Sequence, residues 1–297
     1  MKPEGIITAM VTPLDRTNSI DLVVTKQLVN HLIDKNVNGL FILGTNGEFH
    51  VLSDLEKLRF AETVINETNG RLPVFIGTGG NSTDHVVSLS KEMTALGADA
   101  LSVITPYFVQ PTETELMNHY FTIADANIAP IMLYNIPKNT GISISSNTVR
   151  KLAGHQNIIG IKDSSGKIDN LKEYLAVSKE QNFSVLSGSD SLILDALKIG
   201  ATGAIAATSN VLTEIDVAIY QYWLEGKVEK AQIMQNSIEE FRRILTLGTI
   251  PSVLKAAISY QGINVGDPRL PVLPLSDEVL SEIAQTMDYY KENFSFI

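Results

Sequence analysis

The sequence contains no cysteine, which excludes disulfides, thiolate metal sites and cysteine nucleophiles together. It has no apolar run near the roughly 18 residues that a membrane-crossing helix needs, so no membrane partner is expected. Basic residues are the scarcer charge, 23 Lys and Arg against 33 Asp and Glu, for a formal net charge of −10. Affinity for nucleic acid needs clustered Lys and Arg; none is present, and the excess acid reads as a solvated surface. The histidines His31, His50, His85, His119 and His155 never fall at H-E-x-x-H spacing. A histidine-built zinc site is therefore not expected, and each reads as an isolated surface residue. The opening "MKPEGIITAMVTP" carries one lysine and is broken by prolines. It lacks the charged and apolar regions of a signal peptide, so a cytoplasmic protein is expected.

What is present is a rhythm. Short apolar runs recur at "GIITAMV", "NGLFILG", "PVFIG", "ALSVI", "PIMLY", "NIIGI", "FSVLSG" and "TGAIAA", most separated by polar stretches with helical spacing. Helix starts are marked by capping boxes, Ser53 three residues before Glu56 and Thr112 three before Glu115. Glycines in "LGA" (96–98) and "IGATG" (199–203) suit helix C-termini. Eight strand–helix units in 297 residues predict a (β/α)8 barrel rather than an open doubly wound sheet. The barrel is assigned to residues 1–212. Residues 213–297 read as a C-terminal helical region packed on it, with helices near 213–224, 227–246, 250–261 and 276–292 and no flexible linker.

In such a barrel the chemistry sits at the C-terminal ends of the strands, and there the stretch "NIIGIKDSSG" (157–166) stands out. Lys162 follows the sixth apolar run directly. In a partly enclosed cavity, desolvation would favour its neutral amine, the form that attacks a carbonyl. A lysine that leans to the surface or pairs with Asp163 is the alternative. The fifth run ends in Tyr134, whose phenol could shuttle protons or simply be a core ring with a satisfied hydroxyl. The second run leads into "GTNGE" (44–48), where glycines let backbone N–H groups converge on an anion and Thr45 adds a hydroxyl. "GTGGNS" (77–82) is a degenerate dinucleotide fingerprint and reads as an ordinary strand–helix turn.

With these residues assembled, the chain resembles the pyruvate-dependent class I aldolases, the group of dihydrodipicolinate synthase and N-acetylneuraminate lyase. "VTP", "GTNGE", "TPYF", "YNIP", "GIKDSSG", "SGSD" and "RLPVLPLS" occur in family order along nearly the whole chain. The resemblance implies a homotetramer of (β/α)8 barrels acting on pyruvate and an aldehyde or 2-keto-3-deoxy acid, with no cofactor. It implies that Lys162 forms the Schiff base, that Tyr134 transfers protons, and that Thr45 and Asn46 hold the pyruvate carboxylate. It also places Gly188, Ile205 and Tyr107 against the substrate.

Departures from the family pattern bear on the second substrate. Dihydrodipicolinate synthases usually carry a carboxylate-binding arginine two residues past the proline of the "YNxP" motif; here Asn139 stands there, after Lys138. They usually have two tyrosines after "TP", whereas this chain has Tyr107 and Phe108. "IKDSSG" and "SGSD" look more like 2-keto-3-deoxy sugar acid aldolases, with Asp163, Ser164, Ser165, Ser189 and Asp190 as hydroxyl-binding groups. Ser165 could instead build a turn, and Asp190 could cap a helix. The expected activity is cleavage of a 2-keto-3-deoxy acid to pyruvate and an aldehyde. The alternatives are condensation of pyruvate with aspartate semialdehyde, a dehydratase of the same family, and a silent keto-acid-binding relative.

Overall fold

All eight expected strands form. The computed structural model describes residues 1–126 and 129–294. Strands β1 (Gly5–Ala9), β2 (Gly39–Ile42), β3 (Val74–Gly77), β4 (Ala100–Ile104), β5 (Ile131–Asn135), β6 (Ile158–Asp163), β7 (Ser184–Ser187) and β8 (Gly203–Ala206) pair in parallel in that order, and β8 closes on β1. Alternation within each strand divides the apolar residues into two layers. Leu40 and Ile42, Ile131 and Leu133 face the surrounding helices; Phe41, Met132 and Tyr134 fill the barrel interior with Ile7, Phe75 and Leu186.

Helices α1 (Leu22–Asp34), α2 (Asp54–Thr68), α3 (Thr83–Leu96), α4 (Glu113–Ala126), α5 (Pro137–Thr140), α6 (Ser146–Ala153), α7 (Ile168–Ser178) and α8 (Ile193–Ile199) alternate with the strands. Both capping boxes are made: Glu56 accepts from the Ser53 backbone at 2.8 Å, and Glu115 accepts from that of Thr112 at 2.7 Å. Gly97 and Gly200 end α3 and α8 in the left-handed conformation that glycine adopts without strain. "GTGGNS" is the strand–helix turn expected, with Ser82 capping α3. Among the described residues no helix is long and apolar enough to cross a membrane.

After β8 come α9 (Thr213–Leu224), α10 (Val228–Ser237), α11 (Glu239–Ile244), α12 (Ser252–Tyr260) and α13 (Asp277–Asn293). Helix α9 packs on α8 and β1, in the outer ring. The single helix expected over 227–246 is two. Tyr290 of α13 inserts its hydroxyl into the ladder, donating to the Ser237 carbonyl at 2.5 Å and accepting from the Phe241 N–H at 3.0 Å. That replaces the direct bond between these residues, a known cause of a helix break. The expectation of surface histidines also fails at His119. Its ring is buried against Tyr120 with Nδ1 2.8 Å from the Thr83 hydroxyl, and burial pushes its pKa down to about 4.

Candidate active site

The register of β5 on β6 places Tyr134 directly beside Lys162. Paired residues of parallel strands share a face, so amine and phenol project together into the barrel mouth. Lys162 is only 4% exposed, its Nζ 4.3 Å from the Tyr134 ring centroid and 4.6 Å from that of Phe41. It does not lean to solvent or pair with Asp163. The Asp163 carboxylate faces the other way, accepting from Asn135, Ser165 and Asn170. Gly188 leaves room for the lysine stem: a Cβ there would lie 2.9 Å from Lys162 Cε and 2.1 Å from the Ser164 hydroxyl.

Thr45 reaches the same spot from the turn after β2, its Oγ1 3.2 Å from the Tyr134 hydroxyl. Among the described residues neither the Thr45 nor the Asn46 backbone N–H donates to a protein acceptor. Two unpartnered N–H groups and a hydroxyl on one turn are a donor set of the kind that suits an anion. These groups open into a cavity of about 790 Å³ that Asn46, Ser164, Gly188, Ser189, Asp190 and Ile205 also line. Its outer wall comes from the C-terminal region, where Arg242, Leu245, Pro251 and Leu254 face Lys138 and Asn139.

Two expected substrate contacts are not brought here. Ser165 lies outside the cavity lining: its hydroxyl donates to Asp163 at 2.7 Å and accepts from the Lys167 N–H, building the turn into α7. Tyr107 also lies outside its own chain's cavity, its ring edge-on to Phe49. Asp190 does line the cavity, but its two oxygens accept from the Ala207 and Thr208 N–H groups at 3.0 and 3.2 Å. It neither caps a helix nor stands free. Arg242 and His50, on the cavity rim, were not singled out from the sequence. Arg242 belongs to no motif, and only tertiary packing carries its helix over the barrel mouth.

Behind Asp190, Asp216 of α9 is fully buried and accepts from the Thr208 hydroxyl at 2.6 Å. Burial, aided by the charge of Asp190, pushes its pKa well above the ordinary carboxyl value. A folded-state pKa above the unfolded one makes stability fall as pH rises through the interval between them. Asp216→Asn removes that loss, so the Tm of the variant relative to the parent should increase from pH 4 to pH 8. A difference that stays flat with pH would show that Asp216 titrates normally.

Residues 2–289 match the dihydrodipicolinate synthetase family. The chain belongs to that family. It is therefore an enzyme of the lysine Schiff-base, pyruvate-dependent class. It is 38% identical to 4-hydroxy-tetrahydrodipicolinate synthase 1 of Halalkalibacterium halodurans over 92% of both chains. Among solved structures, it resembles dihydrodipicolinate synthase of Bacillus anthracis with a TM-score of 0.93 at 33% identity, covering 97% of this chain and 99% of that one. It also resembles YagE, a prophage protein of the dihydrodipicolinic acid synthase family from E. coli K12 in complex with pyruvate, with a TM-score of 0.93 at 31% identity over 97% and 98% of the two chains.

Proposed function

We propose that the protein is a 4-hydroxy-tetrahydrodipicolinate synthase that condenses pyruvate with aspartate semialdehyde. The observation that carries this reading is the charge of the cavity wall. Lys138, without an ion-pair partner among the described residues, lines it, as does Arg242, whose guanidinium also holds Glu239 at 2.8 Å. Of the groups expected to read a polyol, Asp163 and Ser165 are turned away and Asp190 is engaged by backbone, while Ser164 and Ser189 remain in the lining. Two cations suit a second substrate with a carboxylate. The curated relatives bearing the synthase name support the same choice over the 2-keto-3-deoxy acid lyase expected from the motifs.

In this reading Lys162 attacks C2 of pyruvate and water leaves, giving an iminium whose carboxylate rests on Thr45 and Asn46. The iminium withdraws electrons, so a C3 proton departs and an enamine forms. Its C3 attacks the aldehyde carbon, and the resulting alkoxide takes a proton from Tyr134, which Thr45 orients; the amine of the semialdehyde then adds to C2 and expels the Lys162 amine, which closes the ring and frees the enzyme. Holding both partners in place lowers the barrier by removing the entropy of encounter.

Asn139, at the usual arginine position, favours the sugar-acid reading, and kinetics decide between the two. The expected result is a higher kcat/KM for condensation with aspartate semialdehyde than for cleavage of a 2-keto-3-deoxy sugar acid. A hydrogen bond to a charged group contributes about 1.5–3 kcal/mol. Lys138→Ala or Arg242→Met, whichever removes the carboxylate contact, should therefore cost roughly 10- to 150-fold in kcat/KM for the semialdehyde. Borohydride trapping of pyruvate should persist in both variants. Preference for the sugar acid, with both variants silent, would overturn the synthase reading.

A further inference from the structure

We infer that Glu48 and Lys255 are positioning residues: through their buried ion pair, the C-terminal helices hold the pyruvate-binding turn in its binding shape. The inference rests on the reading of Thr45 and Asn46 as the carboxylate cradle. Glu48 closes that turn. It sits at φ 57°, in the left-handed region that a residue with a side chain seldom occupies, and its N–H donates to the Thr45 carbonyl at 3.2 Å. Such a conformation persists only where surrounding contacts impose it.

Those contacts come from far along the chain. The Glu48 side chain is 3% exposed and that of Lys255, on α12, is 1% exposed, with Nζ 2.6 Å from Oε2. The other carboxylate oxygen accepts from the Arg269 N–H at 2.7 Å, and the lysine donates to the Asp267 carbonyl at 3.1 Å. The Arg269 guanidinium then grips Glu56 at the start of α2 at 2.6 Å, and the Val51 carbonyl at 3.0 Å. From the opposite side Thr12 donates to the Gly47 carbonyl at 2.7 Å. The turn is thus clamped between the start of the barrel and the C-terminal helices.

Neither Glu48 nor Lys255 lines the cavity, so any effect on catalysis must pass through the turn. Stability alone gives little reason for the pair. Desolvation offsets most of the attraction between buried charges, and apolar residues of similar volume often do as well. A directed carboxylate, hydrogen-bonded at Oε1 and ion-paired at Oε2, fixes an orientation that apolar packing would leave loose.

The test combines Glu48→Gln, Lys255→Met, their double variant and Thr45→Val, with kcat, pyruvate KM and Tm measured for each. Each single variant leaves a buried group unpaired and should lower Tm. The double variant removes both charges, so its Tm should recover toward the parent. Its pyruvate KM should nevertheless stay raised roughly tenfold to a hundredfold, as expected for a displaced binding group, with kcat at saturating pyruvate little changed. Parental pyruvate KM in a folded double variant overturns the inference. If the double variant does not fold, Glu48→Asp keeps both charges but shortens the reach. A raised pyruvate KM at parental Tm then supports the inference, and parental KM overturns it. Thr45→Val separates the two claims. If neither it nor the double variant raises pyruvate KM, the carboxylate reading fails and the inference with it; if it raises KM while the double variant does not, the inference alone falls.

Discussion

Lys162→Ala should abolish turnover and borohydride trapping of pyruvate while leaving the barrel folded. The imine needs an amine within reach of the keto carbon, and the barrel mouth holds one at the end of β6, between two aromatic rings. Lys255 is just as buried but is held by Glu48 and the Asp267 carbonyl, outside the cavity. Lys138 stands on the exposed rim. Arginine should not rescue activity, since its guanidinium stays protonated and cannot add to a carbonyl. Stability should hold, because among the described residues no carboxylate lies within ion-pair distance of Lys162, so truncation orphans no buried partner. The measurement is intact mass after pyruvate and borohydride, beside a thermal melt. A pyruvate adduct on the folded variant, or on another lysine in the parent, would remove Lys162 from its role.

Much of this site can be read from the sequence, and the reason is geometric. A strand followed by a charged or polar residue has a local signature, and in a parallel barrel every strand end opens on the same face. Lys162, Tyr134 and Thr45 were therefore legible as strand-end residues and Asn46 through the family resemblance, although only the β5–β6 register shows that Lys162 and Tyr134 are side by side. The capping boxes at Ser53 and Thr112 were legible because both partners lie within one helical turn.

What escaped notice depends on pairs far apart in sequence. The Tyr290 hydroxyl that splits α10 from α11 comes from 53 residues beyond Ser237, and no periodicity in 227–246 foretells it. Glu48 and Lys255 meet only once the C-terminal helices have docked, and Arg242 reaches the cavity by the same docking. Ser165 and Asp190 illustrate a different limit. Their residue types suit hydroxyl recognition, but local geometry gives Ser165 to Asp163 and Asp190 to the 207–208 backbone. A short polar side chain beside a turn competes for its own backbone, and composition does not disclose which partner wins.

Tyr134→Phe isolates the proton transfer from the packing around it. The phenyl ring keeps the edge-on contact with Phe41, at 6.1 Å between centroids, and the face presented to the Lys162 amine at 4.3 Å. Only the hydroxyl and its 3.2 Å approach to Thr45 Oγ1 are lost. Folding and imine formation should therefore survive, and borohydride should still trap pyruvate at saturating concentration. The step that suffers is the one in which charge develops on the aldehyde oxygen. In the parent a phenol beside the imine can protonate that oxygen as carbon–carbon bond formation proceeds, and the same group, ionised, can remove the proton in the reverse direction. Water is a poor substitute in a pocket lined beside the lysine by Ala9, Ile136 and Ile205, because a positioned acid or base typically contributes a factor of about 10²–10⁴. A loss of kcat in that range, with Tm and the pyruvate adduct both retained, is the expected outcome. If kcat holds at the parental value, Tyr134 is a core aromatic and the proton must come from Thr45 or solvent.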